Sequence, residues 1–188
     1  MAVCAVLAAL LVVLGSATPA AHDIPNDVTV QTFLKPEGQR LRLLVRVPLN
    51  AMRDMDFPKP AGGRNADLLD LARAEQSLRD ASMLWLSGFL ELYEHDQPLG
   101  EPQVVAVRAA LQSDKSFASY EDALAHVTGP PLPDTTEFFW SQGLLDVLFE
   151  YPIQSDRSLF SIRPKLGRLG IRIWCRACRQ PFEEFKAI

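Results

Sequence analysis

Residues Val28 to Leu49 alternate in the manner of a two-stranded hairpin. Val28, Val30 and, after a shift, Phe33 and Leu34 are apolar, and Lys35-Pro36-Glu37-Gly38-Gln39 makes a break. Beyond it Leu41, Leu43, Val45 and Val47 interleave with Arg40, Arg42 and Arg46, with Leu44 as the exception. A period of two places the leucines and valines on one sheet face and the arginines on the other. On that reading Leu43→Asp unfolds the domain, because a buried apolar position is lost, and Arg42→Asp is tolerated.

The same patterning carries the rest of the chain. A helical stripe runs from about Ala66 to Leu78 behind Asn65 as a cap, with Asp67 and Asp70 in its first turn. Met83 to Tyr93 is ambiguous, with a strand at Phe89 to Glu94, a turn at His95 to Gly100 and a return strand at Gln103 to Leu111. Ser119 caps a short helix, Tyr120 to Val127, with Asp122 at the capping-box position, and Thr128-Gly129-Pro130-Pro131 stops it. Phe138 to Tyr151, Leu159 to Arg163 and a segment from Lys165 to Ile173 read as further strands. Hairpins interrupted by two helices predict a mainly β domain with two short helices, built as an antiparallel sheet or sandwich.

Ala2 to Leu14 is an unbroken apolar run followed by small residues to Ala21. The run is shorter than the roughly 20 residues of a membrane span, and it has the apolar core and cleavage region of a secretory signal. No Lys or Arg precedes it. The division is therefore a signal peptide over 1–21, an exported domain over 22–173 and a tail over 174–188. The 188-residue chain has a net charge of −4, which argues against nucleic acid as a partner. That charge is uneven, with −10 from His22 to Asp156 and +6 from Arg157 to Ile188. A basic end on an acidic body fits a membrane or anionic surface near the C-terminus, and equally an ordinary solvated surface.

Candidate chemistry is sparse. No phosphate loop, nucleophile elbow or zinc-protease helix occurs. If the signal is cut after Ala21, His22 becomes the N-terminus, and its amine and imidazole together can chelate copper or nickel. A cut after Ala20 removes that geometry, and a frayed terminus is the ordinary reading. His95 falls in a turn and His126 on the short helix. Cys175 and Cys178 form a CxxC after Trp174, but only ten residues follow, too few for a thioredoxin-like fold, and a single pair cannot complete a zinc site. The pairs Asp54/Asp56 and Glu91/Glu94 read as solvated charges.

Three stretches together, AHDIPNDVTVQTFLKPEGQRLRLLVRVPL (Ala21–Leu49), SDKSFASYEDALAHVTGPPLP (Ser113–Pro133) and LLDVLFEYPIQSDRSLFSIRP (Leu144–Pro164), resemble the extracytoplasmic N-terminal region of HupE/UreJ-type bacterial membrane proteins. The resemblance covers most of the chain to about Ile173. It implies an exported binding or interaction domain, not an enzyme, attached to the membrane through a following bundle of transmembrane helices. The family's nickel or cobalt ligands are expected in those helices, so none is placed on this chain. The alternative from another class is an exported metal-dependent enzyme or a copper- or nickel-binding protein using His22. The strand pattern ends at Trp174, where the family continues. This predicts that the chain is truncated before its membrane helices and that 174–188, a product of a shifted reading frame, is disordered.

Overall fold

The computed structural model describes residues 27–52, 54–62, 65–169, 172–178 and 186–187. The protein is mainly β, as its patterning predicts, with two sheets and two helices. Residues 1–21, which the sequence reads as a signal, His22 and most of the residues after Cys178 lie outside the described residues.

The hairpin forms as strands β1 (Asp27–Glu37) and β2 (Arg40–Pro48), in antiparallel register with Phe33 opposite Leu44. Its turn needs Gly38, whose φ of 62° is a left-handed conformation open to glycine at little cost. Leu41, Leu43, Val45 and Val47 are all fully buried, as the alternation requires. The other face of β2 is not solvated. Leu44 is fully buried and Arg46 nearly so, because this side is also covered. Phe33 needs no shift in β1; it faces this second side, while Val28, Val30 and Leu34 pack into the main core.

Strand β6 (Leu144–Pro152) lies against β2 with Leu43 opposite Phe149 and Arg46 opposite Asp146. Strand β5 (Gln103–Ala110) flanks β6, with an irregularity between Val104 and Ala106. The large sheet runs β5-β6-β2-β1 antiparallel, and β8 (Arg172–Cys178) is added parallel to β1. The strand expected to stop at Trp174 thus runs on to Cys178, and both cysteines of the CxxC lie on it. The small sheet consists of β4 (Gln97–Pro98), β3 (Leu90–Glu94) and β7 (Phe160–Pro164), antiparallel, with the two-residue β9 (Lys186–Ala187) parallel to β7.

Two expectations are corrected here. The segment Gln103–Leu111 does not return along β3. It joins the large sheet, where Val107 and Ala109 enter the core opposite Val147 and Leu145. The first helix, α1, spans Ala74–Trp85 rather than Ala66–Leu78, preceded by a 3-10 turn at Leu71–Arg73. The backbone of the preceding segment is taken by other partners. Leu69 N–H donates to Phe138 O, Asp70 N–H to Pro58 O, and Asp67 O accepts from Trp140 N–H. Asn65 Oδ1 accepts from Asp67 N–H in a local turn instead of capping a helix. Those tertiary bonds outweigh the helical pattern. The helix buries Ala74, Leu78, Ala81 and Trp85, a stripe at helical spacing.

Helix α1 and the small sheet cover one face of the large sheet, sharing a core with Leu90, Leu92 and Phe160. Helix α2 (Tyr120–Thr128) covers the other, burying Tyr120, Ala123 and Val127 against Phe33, Leu44 and Leu148. Its predicted cap is present: Ser119 Oγ accepts from Asp122 N–H at 3.1 Å. Among the described residues no helix is long and apolar enough to cross a membrane.

Candidate functional site

Charge is buried under α2. On the covered face of the sheet, Arg46 of β2 stands opposite Asp146 of β6. Its guanidinium grips the carboxylate in a fork, Nε to Oδ1 and Nη2 to Oδ2, each at 2.6 Å. Asp146 is fully buried and Arg46 is 4% exposed. The loop before α2 completes the shell: Arg46 Nη2 donates to Asp114 Oδ1 at 2.8 Å and to Ser116 Oγ at 3.0 Å, and Nη1 to Asp114 O at 3.1 Å. The Phe117 ring lies 4.3 Å from the guanidinium carbon. Burial alone favours the neutral form of Asp114, but hydrogen bonds from Ser116 and Arg46 outweigh it and hold the carboxyl at about 2. From α2, His126 brings Nε2 to 3.1 Å from Asp146 Oδ2, off the line a hydrogen bond needs, and Nδ1 to 3.7 Å from Asp114 Oδ2.

The arrangement is a clamp. All three guanidinium nitrogens are engaged inside the protein, and the fork ties together β2, β6 and the loop leading into α2. Arg108 of β5 adds to it by donating to the carbonyl of Gly129, the residue that ends α2. Arg46 lies on the sheet face opposite the main core, where the alternation places it, and α2 removes that face from water. Arg42 is also tied down, to Glu150 at 2.9 Å and Glu37 at 2.6 Å. Arg42→Asp would remove both of these ion pairs, leaving Lys35 beside Glu37 and Arg40 beside Glu150. A lone Asp146 in the apolar run LLDVLFEY was the sequence signal for the clamp, since charge is rarely buried without a partner.

Elsewhere the structure leaves an opening. A pocket of about 350 Å³ lies between the turn after α1 and the segment Pro98–Pro102 that leads from β4 towards β5. Its wall is made by Ser87, Gly88, Leu99 and Pro102, with Glu91 and Tyr93 on β3. Tyr151, at the end of β6, lines it from the core side. Tyr151 is 2% exposed, and its hydroxyl is buried with no hydrogen-bond partner among the described residues. Burial pushes its phenol well above the ordinary range, so it stays a protonated donor. Lys165 Nζ lies 2.5 Å from Glu91 Oε1 and holds that carboxylate below its usual range. A larger opening of about 430 Å³, bounded by Leu111, Glu137 and Gly143, has no such orphaned polar group on its wall.

The candidate residues from the sequence separate widely. His22 lies outside the described residues. His95 sits in the β3–β4 turn, as expected, with φ of 55°. Among the described residues no group of three or more His, Cys, Asp or Glu is placed to hold a metal. Of the paired carboxylates read as solvated, Glu94 is buried; it accepts backbone N–H bonds from Gln154 and Ser155 and staples the turn between β6 and β7. Tyr151 carried no sequence signal, since an aromatic residue on the inner face of a strand reads as core.

No family model matches the sequence, and neither the curated proteins nor the solved structures give a match.

Proposed function

We propose that this chain is the exported, extracytoplasmic binding or interaction domain of a HupE/UreJ-like membrane protein, without catalytic activity of its own. The sequence resemblance and the secretory pattern of residues 1–21 support the location. The observation that carries the binding reading is the pocket of about 350 Å³ walled by β3 and the segment Pro98–Pro102. The buried pair Arg46 and Asp146 is spent on holding α2 to the sheet, which makes that region scaffold. The volume of the pocket lies at the small end of ligand sites, roughly 300–1,000 Å³.

Location and binding are tested separately. A β-lactamase joined after Ile188 should protect bacteria against ampicillin, and deleting residues 1–21 should abolish protection; protection without them would remove the export reading. For binding, saturation-transfer NMR on the exported chain with a set of small neutral fragments should give hits. Gly100 lines the pocket, and a Cβ added there meets nothing within 4 Å. Gly100→Trp should therefore fill the pocket without disturbing the fold, and hits should vanish. Fragments that bind regardless of Gly100→Trp, or no hits at all, overturn the binding reading.

A further inference from the structure

We infer that the corner formed by the last turn of α1 and residues 163–168 rests on an anionic lipid surface, with Met83 and Leu84 entering the headgroup layer and Arg163, Lys165 and Arg168 drawn to the phosphates. Lipid contact here does not depend on whether the pocket takes a ligand.

Three observations lead there. First, Met83 and Leu84 stand together on the outer side of α1, whose inner side buries Leu78, Ala81, Ser82 and Trp85. Leu84 is 53% exposed and Met83 38%. A single exposed leucine is ordinary, but two neighbouring large side chains at a helix end make an apolar tip. Second, the chain lays cations along that tip. Arg168 Nη1 donates to Leu84 O at 3.2 Å, and its guanidinium carbon lies 3.9 Å from the centre of the Trp85 ring. Lys165 N–H donates to Phe89 O, and the side chains of Lys165 and Arg163 both face Glu91. Three cations and one carboxylate leave these four groups at a net +2. Third, the charge of the whole chain orients this corner. Arg157 to Ile188 carries +6 and His22 to Asp156 carries −10, so an anionic surface repels the body and attracts this end. Exposed apolar side chains edged by Lys and Arg are the composition of surfaces that lie in a membrane interface, where the apolar groups leave water and the cations meet phosphate.

The test adds two kinds of bicelle to the exported chain, each carrying a spin-labelled lipid. One is phosphatidylcholine alone, the other phosphatidylcholine and phosphatidylglycerol in equal parts. The anionic bicelles should bind more tightly and broaden the amide signals of Leu84, Gly88, Lys165 and Gly167 most. Arg163→Gln with Lys165→Gln takes the four groups from +2 to 0 and should weaken binding to the anionic bicelles on the order of tenfold. Leu84→Ser should weaken binding to both kinds of bicelle and keep the preference for the anionic one. Heparin, a soluble polyanion, separates charge from lipid. If heparin binds as tightly as the anionic bicelles and Leu84→Ser changes nothing, the corner is a polyanion surface and the lipid assignment is wrong. No binding, binding that neither variant weakens, or broadening centred elsewhere on the protein also overturns it. The broadening pattern is read on the parent chain, so it decides the matter even where a variant fails to fold.

Discussion

Arg46 and Asp146 leave water together, and their geometry decides what a substitution at either one costs. With the guanidinium removed, Asp146 remains a carboxylate at 0% exposure on a covered sheet face. Breaking a buried pair by deleting one partner typically costs about 3–5 kcal/mol, whereas replacing both with apolar residues is often neutral. Arg46→Met should therefore lower the urea unfolding free energy by about 3–5 kcal/mol, and Arg46→Met with Asp146→Leu should recover most of it. A single variant within 1 kcal/mol of the parent, on the scale of surface changes, would show that water reaches Asp146. Asp114 adds a dependence on acidity. Its carboxyl is held at about 2, below the 3.8 of a free side chain. A depressed carboxyl stabilises the fold fully above its unfolded value and loses that contribution as pH falls through its folded value. The window is therefore about pH 4 down to about pH 2, and the contribution is about 2 kcal/mol. Asp114→Asn should flatten the loss of stability across that window, as measured by denaturant unfolding at each pH; an unchanged slope would rule the contribution out.

At the scale of elements, β5 is an edge of the large sheet, and an open edge invites pairing with another chain. Here α1 guards it. Arg79 Nη1 donates to Val104 O at 2.9 Å, at the irregularity in the strand. Arg79→Ala frees that carbonyl and uncovers Val105, already 37% exposed. Light scattering should then detect concentration-dependent self-association absent from the parent protein, and a monomer at all concentrations would show that the irregularity alone protects the edge. The elements differ in how far their residues announce them. The hairpin and α2 were legible because their signals are local: alternation across a glycine turn, and a serine cap three residues before an aspartate. The start of α1 was not, because Asp67, Leu69 and Asp70 bond to Trp140, Phe138 and Pro58 respectively, and such bonds leave no mark on nearby sequence. The partner of β5 was hidden likewise. Pairing it with β6 puts Arg108 opposite Asp146, a match visible only once the distant strand is beside it.

For the molecule as a whole, the burial of one sheet face followed from period two, and the burial of the second did not. Leu44 and Phe33 broke the alternation for a reason: each faces α2, whose own apolar side was readable but whose docking place was not. The pocket lay further from view, since Tyr151 and the segment Pro98–Pro102 meet only through the packing of two sheets. Both central strands of the large sheet come from distant parts of the chain. Arg46 and Asp146 are 100 residues apart, and β1 meets β8 with Asp27 beside Arg172. This sets an order of assembly. As the chain emerges from its N-terminus, the hairpin can close at once, but its apolar face has no cover until α1 and then β6 have been made. Topologies dominated by such distant pairings fold slowly. The Arg46 guanidinium meets Asp146 across 100 residues of chain, so the clamp beneath α2 closes only after β6 has been made, and until then the hairpin carries an unpaired charge in water.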